Sequence, residues 1–174
     1  LCSWHWNYYK KDTQYIKSIR MVDPIQPANL NGAFAYCENL ETVDLSLMDT
    51  SKTTTFGWMF DNANKLKKLD LTSFDTSSLT QMAGMFWRCE SLTELDVSNF
   101  DTSRVESFES VFSRCKSLPA VDVSNWDTSS ATKMRYMFND CNSLIYADVS
   151  NWDTSSVKTT EDMFRGCSKL TGLD

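Results

Sequence analysis

The chain has a single histidine, His5, and no C-x-x-C pair among its six cysteines. Structural zinc centres draw on Cys and His ligands at short, paired spacings, so a metal site of that kind is excluded. Cys–His nucleophilic catalysis fails for want of a histidine near the regular cysteines. No stretch approaches the roughly 20 apolar residues that a membrane-spanning helix needs. Basic residues are in the minority: 17 Lys and Arg stand against 23 Asp and Glu, for a net charge of −6. An acidic balance opposes binding to nucleic acid and to anionic lipid headgroups. Residues 1–12 lack the apolar run of a secretory signal. No set of nucleophile, base and oxyanion donors is present, so neither an enzyme nor a cofactor is expected.

What the chain does have is period. A phenylalanine stands at Phe34, Phe60, Phe86, Phe112, Phe138 and Phe164, always 26 residues from the last. Leu40, Leu66, Leu92, Leu118, Leu144 and Leu170 follow in step, and so do Asp44, Asp70, Asp96, Asp122, Asp148 and Asp174. Fixed spacing without insertion is the signature of stacked repeats.

Within one repeat, Leu95-Asp96-Val97-Ser98 alternates with period two, as a half-buried strand does. Asn99-Phe100-Asp101-Thr102-Ser103 is rich in turn and cap formers. Val105, Phe108, Val111, Phe112 and Cys115 then fall on one helical face, as do Met134, Met137, Phe138 and Cys141 in the next repeat. Ser103 and Glu106 match a capping box. The reading is an α/β solenoid: a right-handed, leucine-rich-repeat-like coil stack with one parallel sheet and short helices on the opposite wall. Strands are expected near 43–46, 69–72, 95–98, 121–124 and 147–150.

Residues 1–39 read as an N-terminal cap and partial coil, and 40–174 as five 26-residue repeats. Ile19 aligns with Leu45 and Asp23 with Asp49, while Pro24 and Pro27 oppose a helix there. Trp4, Trp6, Tyr8 and Tyr9 are suited to covering the open end of a core. Asp174 falls inside a repeat, as expected for a fragment of a longer protein.

The pattern L-x-x-L-D-[LV]-S-x-[FW]-D-T-S (Leu92 to Ser103), followed by M-x-x-M-F-x-x-C-x-x-L (Met134 to Leu144), resembles the BspA-like leucine-rich-repeat surface proteins of bacteria. The resemblance runs from about residue 30 to 174. It departs at Ala63, at Val111, and at Leu47-Met48. It implies a secreted or cell-surface adhesion protein that binds host proteins or neighbouring cells, with no catalytic motif to carry over.

Three sets of residues merit weighing. Cys37, Cys89, Cys115, Cys141 and Cys167 share one column. Equivalent residues of adjacent coils lie roughly 4.8 Å apart with parallel Cα–Cβ bonds, whereas a disulfide brings Cβ atoms to about 3.8 Å. A ladder of buried free thiols is expected. Phe74, Phe100, Trp126 and Trp152 read as core; Trp58, Trp87 and Tyr136 lie off the buried stripe and share no single column. The Asp44 to Asp148 row occupies the outward slot of each strand, and carboxylates at about 5 Å repel by roughly 1 kcal/mol in water and several at lower dielectric. Compensation comes either from hydrogen bonds to flanking Ser, Thr or amides, or from a cation or basic partner segment. The second aspartate column, within D-T-S, reads as turn and cap chemistry.

The residues beside the first row, Thr42, Lys68, Glu94, Ala120 and Tyr146, change from repeat to repeat. A varying surface on a fixed scaffold suits partner recognition. The expected function is a non-catalytic binding module at the cell surface or outside the cell. Asp70, Glu94, Asp96, Asp122, Asp148 and Tyr146 form its partner face, and a protein is its ligand. A glycan-binding module or a structural stalk is the alternative.

Overall fold

The structure is a computed structural model and describes residues 13–173. The aromatic cap Trp4 to Tyr9, His5, Cys2 and Asp174 lie outside the described residues. Among the described residues there are six strands: β1 (Ser18–Arg20), β2 (Thr42–Asp44), β3 (Lys68–Leu69), β4 (Glu94–Leu95), β5 (Tyr146–Ala147) and β6 (Gly172–Leu173). They pair in parallel as β1–β2, β3–β4 and β5–β6, in three separate two-stranded sheets.

The expected α/β solenoid, with one sheet and a helical wall, is therefore not what forms. Most of the chain is turn and loop, and the strands are two or three residues long. Where strands near 121–124 were expected, there is none. The proline at 119 gives a reason: Thr93, Ile145 and Thr171 stand at the same repeat position and donate their amides to Lys67, Pro119 and Ile145 at 3.0 Å each. Pro119 has no amide to donate to Thr93, so pairing lapses at that step.

The helices fail for a different reason. Residues 108, 110, 112 and 114 donate their amides sideways, to the carbonyls of Lys133, Arg135, Met137 and Asn139 at 2.7–3.1 Å. The intervening amides of Val111, Ser113 and Cys115 close four-residue turns onto the carbonyls of Phe108, Ser110 and Phe112. A helix would need all of these donors for its own i−4 carbonyls. Backbone angles agree: Ser110 (φ 59°) and Arg114 (φ 63°) are left-handed. So are their counterparts Trp58, Asn62, Arg88, Tyr136, Asp140 and Asp162. One left-handed residue in every four ends a right-handed helix before it starts. A string of four-residue turns buries nearly the same stripe as a helix, and so the spacing of Val105, Phe108, Val111, Phe112 and Cys115 did not discriminate.

The first repeat also departs from expectation. Ile19 pairs with Val43 rather than matching Leu45, a step of 24. By Ala28, whose carbonyl receives the Thr54 amide at 3.0 Å, the step is 26 again. The Pro24–Pro27 segment absorbs the difference.

The core is a set of columns. The phenylalanines from Phe34 to Phe164 stack, with successive ring centroids 5.3, 6.1, 5.8, 5.3 and 5.2 Å apart. Aromatic pairs at such spacing add about 0.5–1.5 kcal/mol beyond the area they bury. Phe74, Phe100 and Trp126 are buried as expected, and Trp152 is half-buried. The indole N–H groups of Trp126 and Trp152 donate to Val97 and Val123 carbonyls at 3.2 and 3.1 Å. The cysteines of the column are free thiols; Cys37, Cys89, Cys115 and Cys141 are buried and Cys167 half-buried. Each of Cys89, Cys115, Cys141 and Cys167 donates its S–H to a phenylalanine carbonyl of the repeat before, at 3.0–3.3 Å.

Candidate functional site

The acidic row lies on the strand side, and the structure shows how its charge is relieved. From Asp44 to Asp148, each aspartate of the row accepts, through Oδ1, the hydroxyl and the amide of the residue two places on. Asp70 accepts from Thr72 at 2.7 and 3.0 Å. Asp96 takes Ser98 at 2.7 and 3.0 Å, and Asp122 takes Ser124 at 2.7 and 3.1 Å. Asp44 and Asp148 hold Ser46 and Ser150 in the same way. These are side-chain turns that follow the strands β2, β3, β4 and β5 and recur at Asp122, where no strand forms.

The hydroxyl and amide donors stabilise the carboxylate. They hold the pKa of Asp44, Asp70, Asp96 and Asp148 below the usual range. Asp70 pushes Asp96 the other way, and the Ser98 bonds outweigh it. Of the two forms of compensation weighed from sequence, local hydrogen bonding is present in every described repeat. Among the described residues, no cluster of His, Cys, Asp or Glu has the geometry of a metal site.

The rest of the face is open. Asp70, Glu94, Asp96, Asp122 and Tyr146 are exposed and Asp148 is half-buried. Glu94 reaches across one step to Lys68, with 2.7 Å between Oε2 and Nζ, and both side chains are about two-thirds exposed (66%). Such a surface pair contributes at most about 1 kcal/mol. Tyr146 and its neighbour Ile145 are among the large apolar side chains left in solvent, at 42% and 50%. The structure thus brings the six sequence-picked residues onto one side of the molecule, but not into a pocket.

The D-T-S column does more than was read from it. Asp49, Asp75 and Asp101 each accept from the serine two places on, as turn formers do. The threonine between them is buried and clips one repeat to the next. Thr50 Oγ1 donates to the Asp75 carbonyl at 2.9 Å and accepts the Asp75 amide at 2.8 Å. Thr102 and Thr128 donate to the Asp127 and Asp153 carbonyls at 2.9 and 3.0 Å. The burial of Thr at a fixed place in a polar tripeptide was the missed signal.

On the turn side, Trp58 and Trp87 meet edge to face at 5.6 Å. Arg88 lies 5.7 Å over the Trp87 ring. Three repeats from Trp58, Tyr136 occupies the same column; Arg135 sits over its ring at 5.4 Å, and its hydroxyl donates to Glu161 at 3.3 Å.

The family described as "Mycoplasma protein of unknown function, DUF285" matches residues 6–120 and again 93–173. The chain belongs to this family. No curated protein matches it. No helix among the described residues is long and apolar enough to cross a membrane.

Proposed function

We propose that this chain is a non-catalytic recognition module, working at a cell surface or outside the cell, and that its strand side binds a protein. One observation carries the proposal. The interior repeats in fixed columns, while the exposed positions beside the acidic row change at each step, from Thr42 to Lys68, Glu94, Ala120 and Tyr146. A fold needs only the first of these features. The second gives each repeat its own contribution to a partner. The resemblance to bacterial surface repeat proteins supports the same direction.

In this proposal Asp70, Glu94, Asp96, Asp122 and Asp148 favour a basic segment, and Tyr146 supplies an aromatic contact at one end. Aspartate-to-asparagine changes are a clean probe here. Asparagine keeps an Oδ1 acceptor for the Ser or Thr turn while removing the charge. Binding is measured on an array of purified extracellular proteins, for the native chain and for the triple variant D96N/D122N/D148N combined with Y146A. A partner that binds the native chain, weakens with added salt and is lost by the variant supports the proposal. Partners that bind both equally contradict it.

A further inference from the structure

The strand side changes character along the stack. In its first part the surface carries charge of both signs. Lys17 and Glu41 are exposed neighbours, joined by the Glu41 amide to the Lys17 carbonyl at 2.8 Å, and Arg20 stands beside Asp44. Lys67 and Lys68 follow, with Lys68 bound to Glu94. Beyond Glu94 the cations stop. No Lys or Arg falls at 93–98, 119–124, 145–150 or 171–173. The columns that held Lys67 and Lys68 now hold Pro119 and Ala120, then Ile145 and Tyr146, and all four are exposed.

These four residues adjoin. The Ile145 amide donates to the Pro119 carbonyl at 3.0 Å, which sets the two repeats side by side. Tyr146 pairs with Gly172, where a Cβ would come within 3.2 Å of the Tyr146 ring, so the ring lies against the bare backbone of the last repeat. Adjoining exposed apolar side chains with a polar border mark an interaction surface. Here the border has one sign. Asp122 and Asp148 stand two residues beyond Ala120 and Tyr146, the spacing that keeps side chains on one face of an extended segment. Each uses Oδ1 to hold its serine and keeps Oδ2 for another donor. An apolar strip and an acidic strip therefore run together along the stack.

We infer that Pro119, Ala120, Ile145 and Tyr146, with Asp122 and Asp148, dock a basic amphipathic helix of a partner protein. Charge complementarity sets the sign: Lys or Arg on one edge of the helix meets the carboxylates, while its apolar edge covers Ile145 and Tyr146. Pitch sets the conformation. Neighbouring repeats are roughly 4.8 Å apart and a helix rises about 5.4 Å per turn, so residues one turn apart meet successive repeats. An extended chain returns to the same side only every ~6.7 Å and falls out of step. The inference rests on the strand-side proposal and narrows it to the half of that side without cations.

The test uses three synthetic helical peptides of one length, followed by calorimetry and by amide shifts of the chain. The first carries Leu and Lys in an amphipathic pattern. The second has Ala for each Leu, and the third has Gln for each Lys. The first is expected to bind saturably and to shift amides in 119–124 and 145–150, and the other two to bind at least about tenfold more weakly. I145T/Y146G copies residues 171 and 172, and D122N/D148N keeps the Oδ1 acceptors. Each is expected to weaken the first peptide at least about tenfold, and K67T/K68T to leave it unchanged. No saturable binding, equal binding of the Ala peptide, or binding that survives I145T/Y146G would overturn the inference. A partner from the protein array that is lost with D70N/E94Q and kept with I145T/Y146G would also overturn it, and would leave the strand-side proposal standing.

Discussion

On the turn side, a column of bridges joins Thr55, Gln81, Ser107, Lys133 and Thr159 through five successive repeats without a gap. On the strand side, pairing stops after every second strand. Both sides carry the same 26-residue period, so the period alone does not determine how neighbours are joined. Turn-side backbone donors alternate inward and sideways, and each repeat is bonded to the next regardless of which side chains it carries. Strand-side pairing lapses between β2 and β3 and again at residue 119, and the proline accounts for the second of these gaps. The side that contributes less to cohesion is also the side where sequence changes freely at the surface. Under the proposed function, that division would separate the recognition face from the part of the fold that carries stability.

The sharpest way to break this comparison is to open the core beneath the turn side. Phe112 is fully buried and stacked on Phe86 and Phe138 at 5.8 and 5.3 Å. Phe112→Ala is expected to cost about 3–5 kcal/mol, read from denaturant unfolding. The half-buried Leu95 of β4 is expected to cost less when changed to alanine.

Next in size is the threonine clip. Thr50→Val keeps shape but strands both the amide and the carbonyl of Asp75. A loss of about 1–3 kcal/mol is expected. Ser98→Ala on the strand side leaves Asp96 in solvent and is expected to cost less than half as much by the same measurement.

The thiol column adds a pH dependence. Burial pushes the Cys37 thiol up to about 11 and also raises those of Cys89, Cys115 and Cys141. A folded pKa above the unfolded value gives stability that is whole below the unfolded pKa, near 8.5, and falls as pH rises beyond it. Melting temperature is therefore expected to decline between about pH 8.5 and 11, and less steeply in Cys115→Ala. The strand-side carboxylates have the opposite sign: their depressed pKa values give stability present above about pH 4 and lost below it. Cys115→Ser is expected to be mild, because a serine hydroxyl inherits the Phe86 carbonyl as acceptor.

The smallest expected effect is the most local. Pro119→Ala supplies the missing donor for Thr93 but loses the rigidity of proline. The two terms offset to within about 0.5 kcal/mol. What is expected to change is the exchange of amide 119, which becomes protected if the break in pairing is due to the proline.

Much of this was readable in advance. Phe34 to Phe138, Leu40 to Leu144 and Cys37 to Cys141 are buried as expected, because a strict period with apolar residues in register leaves no other place for them, whereas Phe164, Cys167 and Leu170 of the last repeat are only half-buried. Parallel pairing followed from the same period. The helices did not, since a stripe at three- and four-residue spacing is shared by helices and by strings of turns. The discriminating sign was glycine at 32 and 84 in one column and at 166 in the other, where left-handed backbone recurs. The acidic row was recognised as a row, but its partners were settled only by seeing Ser or Thr two places on fold back onto each carboxylate.

Amide hydrogen exchange tests the central claim most directly, since it reads the two sides in one experiment. The turn-side amides of Phe86, Arg88, Phe112 and Arg114, each bonded to the next repeat at 2.7–2.9 Å, are expected to exchange only with global unfolding. Thr93 and Ile145 on the strand side are expected to exchange at least about tenfold faster, through local opening. Equal protection on the two sides, or slower exchange at Thr93 and Ile145, would contradict the account.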